Sequence, residues 1–178
     1  MALKATICKA QIDIADIDRQ HYAHRSLTVA RHPSENDQRM MVRLLAFCLN
    51  DSDDLRFTRG LSETDEPELW QHSDDGQLLH WIELGEPDEK RLRQACGRSR
   101  DVSVYCYQSR SAEVWWRALE PKVQRLDNLA VFRIDDPGVA DLAVLASRNM
   151  QLDCTIQEGV AWLGDGQRNV QTELLRMK

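Results

Sequence analysis

Two glutamates flank a predicted hairpin in the middle of this 178-residue chain. Glu68 follows Pro67 just before the hairpin, and Glu83 lies near the end of the apolar run 78–84, after the turn 74–76. Hydrolysis of a phosphodiester requires a divalent metal that polarises a phosphoryl oxygen and lowers the pKa of a bound water. Because Mg²⁺ prefers oxygen ligands and keeps several waters, carboxylates such as Glu68 and Glu83 suffice as its protein ligands.

A lysine ordinarily accompanies such acids, where it positions the nucleophile or stabilises developing charge. The position two residues after Glu83 instead holds Gly85. Lys90 and Arg91 lie about one turn into a helix predicted to begin at Pro87, close enough for a long side chain to reach the strand end. We assign Lys90 to the catalytic position and Arg91 to substrate contact. An ammonium is a compact charge near a nucleophilic water, whereas a guanidinium fork suits phosphate oxygens.

A third acid stands at the start of another predicted helix, for which Ser34 is the expected N-cap. Glu35, Arg39 and Arg43 are spaced four apart along one flank of the apolar stripe of this helix. One interpretation is an exposed face in which Glu35 and Arg39 form an i,i+4 ion pair. The other is a carboxylate and two guanidinium groups facing a cleft. Glu35 would then assist the metal through water, and the arginines would bind phosphates.

Length and composition indicate one globular domain over residues 1–178. Hydrophobic residues make up 42% of the chain and charged residues 29%, which is ordinary for a globular protein. No apolar run reaches the roughly 20 residues that span a bilayer, and the N-terminus lacks the apolar segment of a signal peptide. The five cysteines are scattered and form no CxxC pair, which favours a reducing cytoplasm over zinc or disulfide frameworks.

The formal net charge of −6 argues against a protein that coats nucleic acid nonspecifically. Neutralising phosphates requires clustered lysines and arginines. The same charge is compatible with a nuclease, because the carboxylates of such a site are themselves negative. Local basic patches, which include the arginines and the lysine named above, would then contact the substrate.

The order of elements predicts a mixed α/β fold, with a central sheet flanked by helices. Residues 4–14 and 22–30 form an N-terminal hairpin, and residues 78–84 and 101–107 form strands joined by a right-handed parallel crossover through the Pro87 helix, which Gly97 ends. The remaining predicted elements are a strand at 55–58, a helix at 112–119, a strand at 128–134, a helix at 138–148 and a closing hairpin of residues 155–163 and 170–175. Trp115 and Trp116 are expected in the core rather than as stacking platforms.

The chain resembles the YaeQ family over essentially its full length. The stretches that carry the resemblance are MALKATICKA, SLTVARHPSENDQRMMVRLLAF, LRFTRGLSETDEPELW, WIELGEPDEKRLRQAC and TIQEGVAWL. The resemblance implies a restriction-endonuclease-like fold with a variant PD-(D/E)xK core. It also implies that Pro67-Glu68 is the "PD" element and Glu83-Leu84-Gly85 the "(D/E)xK" element, with glycine in place of lysine.

Two functions of different classes are therefore expected. The first is an Mg²⁺-dependent nuclease-like protein, with Mn²⁺ as an alternative metal and Glu68 and Glu83 as metal ligands. The second is a non-catalytic interaction or regulatory protein built on a nuclease-like scaffold, because a fold does not fix a function. The corresponding partner is nucleic acid in the first case and a protein in the second, with no membrane in either. The oligomeric state stays open.

Overall fold

A computed structural model describes residues 4–59, 61 and 65–178, without the side chain of residue 109. The described chain forms two compact units. Unit 1 comprises Met1–Asn50 and Pro137–Leu174, and unit 2 comprises Asp51–Asp136 and Leu175–Lys178. Each unit contains strands and helices, which confirms a mixed α/β fold at this level. The expectation of one domain over residues 1–178 stays a prediction.

The described residues form ten strands and four α-helices. In chain order they are β1 (Thr6–Asp16), β2 (His21–Arg31), α1 (Asp37–Leu49), β3 (Leu55–Phe57), β4 (Leu69–His72), β5 (Leu78–Leu84), α2 (Glu89–Arg98), β6 (Asp101–Cys106), α3 (Ser109–Val123), β7 (Leu129–Ile134), α4 (Asp136–Leu142), β8 (Asn149–Gln157), β9 (Val160–Gly164) and β10 (Asn169–Arg176). A short 3₁₀ turn, Ala143–Leu145, follows α4, so the helix predicted at 138–148 is shorter than expected. No helix of these residues is long and apolar enough to cross a membrane.

The sheet of unit 1 is built on β1, whose alternate side chains are buried. This strand pairs antiparallel with β2, which confirms the N-terminal hairpin, and parallel with β8. β9 then pairs antiparallel with both β8 and β10. Residues 155–163 were predicted as one strand, but β8 ends at Gln157 and β9 begins at Val160. The turn between them was not predicted because Glu158 is not a typical turn residue. Glu158 and Gly159 both have positive φ, at 52° and 76°, as a two-residue hairpin turn requires.

Helix α1 begins two residues later than expected. Its N-cap is Asn36, whose side-chain oxygen accepts the backbone N–H of Arg39 at 2.8 Å. Ser34, the predicted cap, contacts the Nδ1 atom of His32 at 2.6 Å instead. The prediction of Ser34 as N-cap is therefore wrong, because an amide side chain closer to the helix satisfies the first-turn N–H.

The sheet of unit 2 has the strand order β7-β6-β5-β4-β3. β4 pairs antiparallel with β3 and β5, while β5 and β6 pair parallel, as do β6 and β7. The hairpin around β5 and the parallel crossover to β6 are thus confirmed. Helix α2 has Asp88 as its N-cap, so Pro87 precedes the cap rather than opening the helix. Gly97 lies inside α2, which ends at Arg98 with Ser99 as C-cap, so the stop assigned to Gly97 is also wrong.

Helices α2 and α3 cover one face of this sheet. The core they form with it contains Trp81, Leu92, Val104, Trp116 and Val131 among its members. Trp115 packs against the edge of the same cluster and donates from Nε1 to the carbonyl of Pro87 at 2.8 Å. The core interpretation of both adjacent tryptophans is therefore confirmed.

The cap of α1 can be tested by mutation. Replacing Asn36 with Ala removes the acceptor for the first-turn N–H and is expected to lower the free energy of unfolding by about 1 kcal/mol. The matched change Ser34→Ala alters a surface contact and is expected to cost less than about 0.5 kcal/mol. Urea unfolding of both variants measures the difference, and equal losses would contradict the cap assignment.

Candidate functional site

Glu68 and Glu83 lie close together at one end of the β4–β5 hairpin in unit 2. Glu83 is the penultimate residue of β5, and Glu68 directly precedes β4. The backbone N–H of Glu68 donates to the carbonyl of Ile82 at 3.0 Å, which holds Glu68 beside the end of β5. Both acids are buried, at 7% exposure each. The hairpin thus brings together the two acids predicted as metal ligands.

The carboxylate of Glu83 is held by an indole and a guanidinium. Its Oε1 atom accepts from Nε1 of Trp81 at 2.7 Å and from Nε of Arg91 at 2.6 Å. Arg91 also donates from a terminal nitrogen to the carbonyl of Glu66 at 2.5 Å and lies 5.0 Å from the ring centre of Trp81. Charge-assisted bonds of this length are among the stronger hydrogen bonds in proteins. Arg91 therefore fixes the end of β5 and the segment before β4 at once.

The electrostatics of the site oppose ionisation of Glu83. Burial raises the pKa of this carboxyl above its ordinary value, and the positive charge of Arg91 lowers it by a smaller amount. The bond from Trp81 also lowers the pKa, whereas the nearby negative charge of Glu68 raises it. The net direction is upward. Two acids that interact in this way are better accommodated when a proton or a cation lies between them.

The backbone explains why glycine follows the strand end. Gly85 has a φ of +88°, which L-residues with a Cβ rarely adopt. No atom lies within 4 Å of a Cβ built at this position, so space is not the constraint. Its N–H donates to the carbonyl of Tyr105 at 2.9 Å, which holds the turn against β6. A lysine here would be strained by the left-handed conformation.

A basic side chain does reach Glu83 from helix α2, and it is that of Arg91. Lys90 lies one residue earlier on the same helix and is exposed. The backbone N–H of Arg91 donates to the capping carboxylate of Asp88 at 2.7 Å, so both ends of this residue are anchored. The catalytic role assigned to Lys90 and the substrate contact assigned to Arg91 stay predictions.

In unit 1, Glu35 forms a buried cluster with two arginines. Its Oε1 accepts from Arg39 at 2.8 Å and its Oε2 from Arg43 at 2.6 Å, and Arg43 also donates to the carbonyl of Ala30 at 3.0 Å. Glu35 is 6% exposed and Arg43 3%. The i,i+4 pair of Glu35 and Arg39 is confirmed, but the exposed-face interpretation is wrong. The roles proposed for these three residues toward metal and phosphate stay predictions.

Residues 4–59, 61 and 65–178 contain no group of three or more His, Cys, Asp or Glu placed to hold a metal ion. Glu35 belongs to unit 1 and the other two acids to unit 2, so a three-acid site also stays a prediction. Binding of Mg²⁺ by Glu68 and Glu83 therefore stays a prediction, which is compatible with the few protein ligands that this ion takes.

Two hydrogen-bond partners in this site were not predicted from the sequence. They are the indole of Trp81, which donates to Glu83, and the carbonyl of Glu66, which accepts from Arg91. Trp81 and Glu83 are two residues apart in a strand and therefore point to the same face, so their spacing could have predicted the indole bond. The Glu66 carbonyl lies in an irregular segment, where no periodic signal exists.

The raised pKa of Glu83 predicts a pH dependence of stability. Since the folded protein binds this proton more tightly than the unfolded chain, ionisation of Glu83 lowers stability as pH rises from about 4.5, its ordinary pKa, through the raised value. Glu83→Gln keeps an acceptor oxygen and cannot ionise. It is expected to melt above wild type at neutral pH in metal-free buffer, and the difference should vanish below the ordinary pKa. Glu113→Gln, at an exposed ion pair, is the control. If Glu83→Gln instead melts below wild type at neutral pH, the charged form of the glutamate is needed.

The bond between Arg91 and Glu83 predicts unequal effects of two neighbouring mutations. Removing one partner of a fully buried pair costs roughly 3–5 kcal/mol, and Arg91→Ala should cost about 2 kcal/mol because its side chain keeps some exposure. Lys90→Ala is the matched control and should change stability by less than about 0.5 kcal/mol. Chemical unfolding at pH 7 distinguishes them. Similar losses for both variants would argue against an anchoring role for Arg91.

The chain matches known proteins over nearly its whole length. A model of the YaeQ protein family matches residues 1–174. Over 174 residues the chain is 47% identical to the YaeQ protein of Salmonella typhi and 46% identical to that of Escherichia coli (strain K12). Each alignment covers 98% of this chain and 96% of the relative.

Two crystal structures of YaeQ proteins are also similar. The protein from Xanthomonas axonopodis pv. citri superposes with a TM-score of 0.95 at 42% identity, covering 98% of both chains. The protein from Pseudomonas syringae superposes with a TM-score of 0.92 at 35% identity, covering 98% of this chain and 96% of the other. Together, the match to the family model and these identities show that the chain belongs to the YaeQ family.

Proposed function

We propose that the protein is a divalent-metal-dependent phosphodiesterase of the nuclease type, with a variant PD-(D/E)xK site. The observation that carries the proposal is the buried pair of Glu68 and Glu83 at the end of β5, with the guanidinium of Arg91 on Glu83. A buried acid with a raised pKa, beside a second acid and a fixed cation, is typical of functional sites. Pro67-Glu68 is then the "PD" element, and Glu83-Leu84-Gly85 the "(D/E)xK" element.

Glu68 and Glu83 would hold Mg²⁺ or Mn²⁺. The bound metal would supply charge stabilisation at the phosphoryl oxygen and a water of lowered pKa. A metal would bind the ionised form of Glu83, so the raised pKa of this carboxyl would make metal affinity increase with pH as Glu83 titrates. Arg91 positions Glu83 through a fixed hydrogen bond and brings a second positive charge to the place where a phosphate would enter.

The strained position at Gly85 supports a relocated basic group. Because a lysine there would adopt a left-handed conformation, the cation comes from α2 instead. Arg91 is the side chain of α2 that contacts Glu83, so we now favour it over Lys90 for the position next to the metal. Arg39, Arg43 and Glu35 are retained as candidates for phosphate and water-mediated metal contacts, on the basis of their spacing alone.

A second function, a non-catalytic interaction protein on this scaffold, is favoured by one specific observation. Both hydrogen bonds to Glu83 from the described residues, those of Trp81 and Arg91, are compatible with a purely structural ion pair. A buried acid satisfied by an indole and a guanidinium requires no metal to be stable. The two functions therefore differ in whether Glu83 binds a cation.

Calorimetric titration distinguishes the two functions. Mg²⁺ and Mn²⁺ are titrated into the metal-free protein at two pH values. A binding heat that strengthens with pH and disappears in Glu83→Ala supports the proposed function. Glu113→Ala, which changes an exposed acid of the same unit, is the control and should bind as wild type does. Absence of any binding to the wild type would favour the interaction protein.

Single-turnover cleavage of short DNA and RNA oligonucleotides tests catalysis directly. Losing one supporting charge typically costs a factor of about 10² to 10³ in rate. We expect Arg91→Ala to show such a loss and Lys90→Ala to lose less than about tenfold. The reverse order would restore the original assignment of Lys90, and a wild type that cleaves nothing with either metal would contradict the phosphodiesterase.

A further inference from the structure

One face of the unit 2 sheet extends beyond the helices that cover it. Arg56, Trp70 and Trp81 lie directly opposite one another on β3, β4 and β5, so their side chains share one face of the sheet. Trp81 is paired in turn with Val102 on β6, and both are buried in the core under α2 and α3. Trp70 is partly exposed and Arg56 is exposed, so this face emerges from the core toward solvent at β4 and β3.

The emerging part of this face carries aromatic rings and cations. His72 lies next to Trp70 with ring centres 4.9 Å apart in an edge-on arrangement. Arg98, in the last turn of α2, is exposed and lies 5.3 Å from the ring centre of Trp81, on which Arg91 also packs. We call the surface of Arg56, Trp70, His72 and Arg98 the aromatic row. It combines the ring of Trp70 with two guanidinium groups. That of Arg56 donates to the carbonyls of Asp53 and Leu55, and that of Arg98 lies over Trp81.

The aromatic row adjoins the carboxylate pair. Trp81 and Glu83 are joined by a hydrogen bond on this same face, and Trp70 stands opposite Trp81. Glu83 is therefore on the strand next to that of Trp70, offset from it by two residues, or roughly 6.6 Å along the strand direction. At the other end the row is bounded by the acidic turn of Asp74 and Asp75. A ligand on the row would thus meet Glu83 at only one end.

We propose that the aromatic row binds single-stranded nucleic acid, with one base stacked on Trp70 and flanking phosphates on Arg56 and Arg98. Stacking on an aromatic face requires an unpaired base, and guanidinium groups suit the adjacent phosphates. A duplex hides its bases and cannot use the ring in this way. The proposal rests on the proposed function, and it names single strands as the substrate of that site.

Binding is measured by fluorescence anisotropy with labelled oligo-dT and oligo-rU of about 15 nucleotides, in EDTA and at about 50 mM salt. EDTA separates binding from cleavage, so a protein that binds but never cleaves would support this inference while contradicting the proposed function. We expect single strands to bind at least about tenfold more tightly than a hairpin duplex of the same length. Tighter binding of oligo-dT or of oligo-rU shows whether the single strand that the row prefers is DNA or RNA.

The variants separate stacking from charge. Trp70→Leu keeps an apolar side chain and should weaken binding about tenfold, whereas Trp70→Phe keeps a ring and should stay within about threefold of wild type. Arg98→Gln should lower the dependence of log affinity on log salt by about one phosphate contact. Tyr22→Leu, at an exposed aromatic residue in unit 1, and Arg125→Gln, at an exposed cation on the same unit as the row, are the matched controls.

Three results would overturn the inference. They are a wild type that binds neither oligonucleotide, a duplex that binds as tightly as a single strand, and a Trp70→Leu variant that binds as wild type does. Melting curves of each variant show whether the fold persists. If Trp70→Leu unfolds, the comparison of Trp70→Phe with Trp70→His, both of which keep a ring, replaces it, and a loss of binding in both folded variants would count against stacking.

Discussion

The bond between Arg91 and Glu83 is the interaction on which the site of unit 2 depends. A carboxylate removed from water loses hydration that only charged or strongly polar partners can replace. Arg91 and the indole of Trp81 provide those partners at 2.6 and 2.7 Å. The same guanidinium binds the carbonyl of Glu66. One side chain therefore joins α2, the end of β5 and the segment before β4, and a change at Arg91 would disturb all three.

Gly85, which follows β5, and Arg91 on α2 together determine the local structure at the end of this strand. At Gly85 the chain leaves β5 in a left-handed conformation and turns toward Asp88, the N-cap of α2. Arg91 stands three residues after that cap, where its own N–H is bound by Asp88. Its side chain then points back to the strand that the chain has just left, consistent with the tilt of helical side chains toward the N-terminus. Helix α2 thus places a guanidinium group at the end of β5.

Much of the fold was predictable because it follows strong periodic signals. The alternation in β1 and β5 and the apolar stripe of α1 placed these elements within a few residues. The errors fall at boundaries, where Asn36 competes with Ser34 for one N–H and Gly97 is tolerated within α2. The hairpin that joins Glu68 and Glu83 was predicted from its turn. Burial of Glu35 and Arg43 was not, since spacing along a helix does not reveal which polar flank another element covers.

Glu35 and Glu83, the two buried acids paired with arginines, differ in which carboxylate oxygens accept hydrogen bonds. Glu35 uses both oxygens, one for Arg39 and one for Arg43. Among contacts with described residues, Glu83 uses Oε1 for both Trp81 and Arg91. A carboxylate whose bonds fall on one oxygen can still offer the other to a cation or to a proton. Burial raises the pKa of Glu83, and the nearby negative charge of Glu68 raises it further. A proton or a cation on the carboxylate reduces both unfavourable effects. Of these two acids, Glu83 is therefore the better site for an added proton or cation.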